Sequence, residues 1–129
     1  MNAHWAPRAL TAALKYVTGQ SPDAPPSALY AALSSTSADP AGPGFTELTV
    51  ANYARQPVSL AYGSDYLVLS SADVNFVNLG AGTYLGVGLF DDATAGGLWF
   101  WGDLSEAVDF DTGRTVTLVA GLIRAGLSG

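Results

Sequence analysis

The sequence predicts a mainly β fold: an antiparallel β-sandwich or barrel, jelly-roll-like, with one short N-terminal α-helix. Three observations carry that reading. From Phe45 onward, runs rich in β-branched and aromatic residues recur roughly every 8 to 12 residues. Turn-forming clusters separate them, at Gly63-Ser64-Asp65, Gly80-Ala81-Gly82, 91–97 and Asp111-Thr112-Gly113. Only one stretch, near the N-terminus, has apolar residues at helical spacing.

The elements follow in order. Leu10, Ala13, Leu14 and Val17 place one stripe on a helix over 5–18, with Arg8, Thr11, Lys15 and Thr18 mainly on the other face. Pro7 suits the first turn, where its missing N–H costs nothing, and Gly19 suits the position just past the end. Such a helix is expected to dock on something. Residues 20–27 are a Pro-rich linker. In 28–35, Leu29, Ala31 and Leu33 alternate with Tyr30 and Ala32, which is strand periodicity. Residues 36–44 form a loop of Pro, Gly and Asp, and its composition predicts mobility or a contact role. Further strands are expected at 45–52, 53–62, 65–70, 73–79, 83–91, 97–104, 107–110 and 114–125. Pro57 marks an edge or a bulge, because proline cannot donate to a ladder. The whole is one domain, 1–129, with its β body at 28–127.

Composition narrows the function classes. The 129 residues are 49% hydrophobic and only 12% charged, about half the usual charged share of roughly 25%. A surface this poor in charge points to faces covered by partners. The chain has no cysteine, so it has no disulfide and no thiolate site. Net charge is −6, and the basic residues Arg8, Lys15, Arg55, Arg114 and Arg124 are scattered, so no basic face for nucleic acid can be assembled. No apolar run reaches the ~20 residues that span a bilayer, and the N-terminus lacks the pattern of a signal peptide. Neither a nucleic-acid nor a membrane partner is expected, and synthesis in a cytoplasm is.

Little in the chain points to catalysis. His4 is the single histidine, at a terminus expected to fray, which leaves no basis for a catalytic triad or a histidine metal site. Asp91, Asp92, Asp103, Glu106, Asp109 and Asp111 cluster late, but Asp91-Asp92 and Asp111 open turns, where a side chain that accepts from nearby backbone N–H groups is favoured. The calcium-loop spacing of alternating carboxylates is absent. The glycines of 80–88 match no phosphate loop and fit a strand of small residues instead. No catalytic residue, metal ligand or cofactor is expected. Trp99 and Trp101 share one strand face; they fit a core, a subunit interface or a sugar-stacking platform. Arg55 is expected to bridge a carboxylate bidentately, either Glu47 or one of the late aspartates.

These segments, in this order, resemble a family of small phage virion proteins labelled tail fibre, minor tail or head decoration proteins. The carrying motifs are Leu29-Tyr30-Ala31-Ala32-Leu33-Ser34, Glu47, Tyr53-Ala54-Arg55-Gln56, the run from Val87 to Leu104 with its Phe90-Asp91 and Phe100-Trp101-Gly102, and Gly113 to Leu122 with Ala120-Gly121-Leu122. The resemblance spans about residues 5–127. Two departures stand out: Gly63 to Ala72 is shorter than the family's insertion, and Arg114 replaces its usual Asp. The resemblance implies a virion structural protein made in a bacterial cytoplasm, and it brings no catalytic residue.

A single compact acidic unit with no shaft repeat suits a capsid decoration protein on the outer head. A minor tail, tail-tip or fibre protein is the alternative, and a carbohydrate-binding module is a further one. Expected partners are other copies of the chain, as a homo-oligomer with a trimer among the states to consider, and the major capsid protein or tail proteins. The contact candidates are Trp5, Leu10, Leu14, Trp99, Trp101, Leu122, Ile123 and Leu127, on the helix, the aromatic strand and the apolar C-terminal end.

Overall fold

The computed structural model describes residues 1–21, 24–64 and 66–126. Part of the linker, the last residue of the Gly63-Ser64-Asp65 turn and the contact candidate Leu127 lie outside them. The described residues form one helix, α1 (Pro7–Val17), and ten strands: β1 (Asn2–Trp5), β2 (Leu29–Ser34), β3 (Gln56–Val58), β4 (Leu60–Tyr62), β5 (Leu67–Ser70), β6 (Val74–Leu79), β7 (Gly82–Phe90), β8 (Leu98–Phe110), β9 (Arg114–Leu118) and β10 (Arg124–Gly126). The fold is mainly β with one short helix. Eight strands make one sheet in the order β3-β2-β7-β8-β1-β10-β5-β4, and β6 and β9 make a second, two-stranded sheet.

The connection between β3 and β4 shows how the large sheet is shaped. These strands lie at its opposite edges, yet Ser59 alone separates them. One residue spans only about 3.3 Å, so the sheet curls until its edges nearly meet, as in a barrel. Pro57 sits in edge strand β3, where a missing N–H leaves no central ladder bond unmade. The β6–β9 ribbon lies over the core. Phe76, Leu79, Val116 and Leu118 from the ribbon pack with Ala31, Leu33, Val87 and Leu89 from the curled sheet and with Ile123 just before β10. Two serines are buried with them, and both are hydrogen-bonded. Ser34 Oγ accepts from Thr36 N and Thr46 N, and Ser70 Oγ from Gly121 N and Ile123 N.

Several expected boundaries change. The terminus expected to fray is strand β1, whose Asn2 and His4 point outward while Ala3 and Trp5 are half-buried. It pairs antiparallel with β8 through His4↔Trp101 and Trp5↔Phe100, and parallel with β10 through Asn2↔Arg124 and Ala3↔Ala125. That parallel pair departs from the all-antiparallel expectation; two ladders fix four residues that look like a loose end. The helix is shortened accordingly to 7–17. Residues 45–52 form no strand and pair with the sheet at one bridge, Ser34↔Glu47, while Leu48 packs in the core. Residues 53–62 break at Ser59 into two strands. The pieces 97–104 and 107–110 are one long strand, β8. Residues 114–125 split at the turn around Gly121, whose φ is +82°, so β9 and β10 enter different sheets.

The loop 36–44 is tied to the sheet. Asp103 accepts from the Ser37 hydroxyl and, at 2.7 Å, from Ala38 N. Thr36 Oγ1 donates to Gly44 O. Ala38 lies so close over β7 that a β-carbon on Gly86 would meet its nitrogen and Cβ at 2.9 Å; one on Gly88 would meet the Phe45 ring at 2.8 Å. The small residues of β7 are there to let this loop cross.

Candidate interaction surface

Two regions combine chemistry with position: a polar cluster around Arg55, and the helix with the strands beneath it. The cluster starts with backbone geometry. Asn52 takes a left-handed conformation, φ +64°, and its side-chain amide donates to Asn78 O. The chain then turns so that Tyr53 enters the core, stacked parallel on Phe76 at 5.9 Å between centroids. The Tyr53 hydroxyl accepts from Leu33 N at 3.0 Å and donates to Glu47 Oε2 at 2.6 Å. Of the carboxylates that the sequence offers Arg55, the one it meets is Glu47. Nε and Nη2 donate to the two oxygens at 2.9 and 3.0 Å. Nη1 donates to Asp92 O and Ala95 O, and the guanidinium lies 4.0 Å over the Phe90 ring. One arginine therefore fastens residues 47–56 to the β7–β8 turn.

Burial pushes the Tyr53 hydroxyl well above its ordinary range, and the Glu47 carboxylate pushes it further. Burial alone would raise Glu47, but hydrogen bonds from Arg55 and Tyr53 outweigh it and hold the carboxyl below its usual range. A carboxyl depressed in the folded state contributes stability that is complete above the unfolded value of about 4.3 and is lost as pH falls through the folded value. Melting temperatures of the wild type and Glu47→Gln, compared from neutral pH down to about pH 3, are expected to differ most at neutral pH and to converge in acid. A constant gap across the series would show that Glu47 does not titrate in this way.

The helix lies on β8 by its alanines. Ala9 is buried and Ala12 and Ala13 half-buried, so the small face lets α1 sit close to Trp99. Of the stripe expected to dock, Ala13 is half-buried, while Leu10, Leu14 and Val17 point to solvent at 48, 63 and 74% exposure; Tyr16 is 76% exposed. The body takes the small residues of the helix and leaves its larger apolar side chains outside. Beneath it, Trp99 is 5% exposed; its Nε1 donates to Asp91 Oδ2 at 3.1 Å, and Arg8 lies over its ring at 5.5 Å. Asp91 is held below the usual carboxylate range by the Trp99 and Gly97 hydrogen bonds, with Arg8 3.9 Å away. Its Oδ1 accepts from Gly97 N, and Asp92 Oδ1 accepts from Thr94 N; both close turns.

Trp101 is half-buried, with one ring face stacked on His4 at 4.4 Å. Trp99 is enclosed and Trp101 partly capped, so the pair forms no open sugar-stacking platform. Trp5 donates from Nε1 to Gly126 O and meets Phe100 edge-on. Ile123 is buried in the core and Leu122 packs against it. Of the contact candidates among the described residues, only Leu10 and Leu14 stand fully on the surface. The sequence reading missed His4 and Arg124, which share the outer face beside α1; period-2 alternation in Asn2–Trp5 was the available signal. Among the described residues no cluster of His, Asp and Glu could hold a metal ion, and no helix is long and apolar enough to cross a membrane.

The family model for podophage GP4 fiber I protein gp80 matches residues 8–125. The chain belongs to that family, and it is a phage structural protein and virion component. No match was found among curated proteins.

Proposed function

We propose that this chain is a structural subunit of a podophage tail-fibre assembly, working by packing against copies of itself and neighbouring tail proteins and catalysing no reaction. The observation that carries the reading is the fibre-family match over nearly the whole chain. It favours the tail alternative over capsid decoration, whose support was an acidic compact unit without a shaft repeat. Those features suit a small fibre subunit equally well. The solvent-facing stripe Leu10, Leu14 and Val17 adds to it, since exposed contiguous apolar side chains mark interaction surfaces.

The test is to separate purified virions into heads and tails and quantify the chain in each by mass spectrometry. The expected result is the chain in the tail fraction, at a copy number of tens or fewer. Hundreds of copies on tailless heads would overturn the tail reading in favour of decoration.

A further inference from the structure

We propose that α1 is a hinged strap. It opens from the β body as one unit while the strands stay folded, and Arg8, seated in a notch at Gly97, is its latch. Opening uncovers the Trp99 indole, which is only 5% exposed when the strap is closed. The device belongs to the subunit itself, whatever its place in the virion.

The helix has little to hold it down. It is 11 residues long, and isolated helices shorter than about 12 to 15 residues are marginal in water, so packing on the body has to supply the rest. Yet Ala9 is the one buried residue of the helix, and an alanine brings a single methyl group. The larger apolar side chains Leu10, Leu14, Tyr16 and Val17 face solvent and add little to docking. The seam is also incompletely filled. A hollow of about 350 Å3 lies at it, lined by Trp5, Ala9, Tyr16, Pro26, Trp99 and Phe100, and side chains bordering such a space forgo contacts on that side. At the helix start Ala6 offers no side-chain cap, and no acidic residue lies in the first turn. Neither a side-chain acceptor nor a carboxylate steadies the free N–H groups there.

Polar contacts with the body are confined to that same end. Ala6 N donates to Trp99 O at 2.9 Å, which fixes one hinge. Two residues on, Arg8 reaches Asp91 at 3.9 Å and lies 5.5 Å over the Trp99 ring. From Ala9 to Val17, no hydrogen bond or ion pair joins the helix to the body among the described residues. The C-terminal end closes on itself: Gln20 N donates to Lys15 O, and Thr18 Oγ1 to Leu14 O. Gly19, left-handed at φ +76°, then turns the chain away.

The latch has a shaped seat. A β-carbon on Gly97 would collide with the Arg8 guanidinium, so it is the missing side chain that lets Arg8 lie there. Asp91 is fixed beside it, one oxygen accepting from Gly97 N and the other from Trp99 Nε1. Arg55 fastens the same turn through the Asp92 and Ala95 carbonyls. The seat is therefore rigid, but the Arg8 side chain is 48% exposed, and an ion pair this open to water holds weakly. By contrast, β2 and β7 are paired on both edges and largely buried. A thinly packed helix with a weak latch opens at far lower cost than such strands.

The test is hydrogen exchange by mass spectrometry on the purified subunit, with wild type, Arg8→Gln and Gly97→Ala, each checked for folding by circular-dichroism melts. Corrected for intrinsic rates, the amides of residues 11–17 are expected to exchange about a hundredfold faster or more than those of β2 and β7. Arg8→Gln removes the latch and Gly97→Ala displaces it; each should speed exchange in α1 severalfold and leave β2 and β7 unchanged. Hydroxyl-radical footprinting should label Trp99 faster in Arg8→Gln than in wild type, with Phe76 unchanged. Exchange in α1 as slow as in the buried strands would overturn the strap, since helix and body would then open only together. Exchange in α1 that is insensitive to both substitutions would overturn the latch. Faster α1 exchange without faster Trp99 labelling would mean that the helix unwinds in place, and would overturn its opening as a unit.

Discussion

Phe76→Ala is expected to lower stability by about 3 to 5 kcal/mol, the largest effect of any single truncation considered. Phe76 is fully buried on β6, opposite Val116, and joins the two-stranded sheet to the curled one. Removing its ring leaves a cavity that neighbours on two sheets would have to collapse to fill, and the β2 and β7 strands on the facing side, paired on both edges, move little. It also removes the surface on which Tyr53 lies, and Tyr53 holds both Leu33 N and Glu47. Urea unfolding monitored by tryptophan fluorescence measures the loss. Phe76→Leu, which keeps most of the volume, should cost less than about 1.5 kcal/mol. Equal losses in the two variants would mean that the site does not depend on volume, and the packing described for it would be wrong.

Much of the β body was legible because period-2 alternation survives in single strands. Val74 and Phe76 on β6 and Val116 and Leu118 on β9 turn inward at that period, Leu79 turns inward only past a register shift at Asn78, and the turns at Gly80-Ala81-Gly82 and Asp111-Thr112-Gly113 delimit them. What alternation cannot reveal is which sheet a strand enters. Val58 and Leu60 look like one strand, and only the closure of the curled sheet separates them. Residues 45–52 have strand composition, but their polar side chains are spent on tertiary bonds: Glu47 on Arg55 and Tyr53, and Thr46 on Thr36. Asn2–Trp5 reads as a frayed end because its partners, β8 and β10, lie about a hundred residues away. The helix was legible as a helix, but its orientation was not. The close approach to Trp99 selects the small side chains Ala9, Ala12 and Ala13 and turns Leu10, Leu14, Tyr16 and Val17 outward. His4 and Arg124 come onto one outer face only through β-pairing across the whole chain.

Arg55→Ala is expected to cost about 2 to 4 kcal/mol, as when one partner of a largely buried ion pair is removed. The effect has three sources. The Arg55 side chain is only 9% exposed and Glu47 is 30% exposed, so loss of the guanidinium strands a carboxylate that water reaches only in part. The carbonyls of Asp92 and Ala95 lose their donor, which frees the β7–β8 turn from residues 47–56. The Phe90 ring loses the cation stacked on it, worth about 0.5 to 2 kcal/mol in comparable pairs. Because Glu47 then lacks its main counter-charge, its carboxyl should titrate higher in the variant, and the acid-dependent part of the stability should shrink with it. Arg55→Lys should recover only part of the loss, since an ammonium cannot engage both carboxylate oxygens and two carbonyls from one planar fork. Glu47→Gln with Arg55→Ala closes a double-mutant cycle. A coupling energy near zero would mean that the Arg55–Glu47 pair does not hold the two segments together. A coupling above about 1 kcal/mol would establish it as the clasp between the two segments.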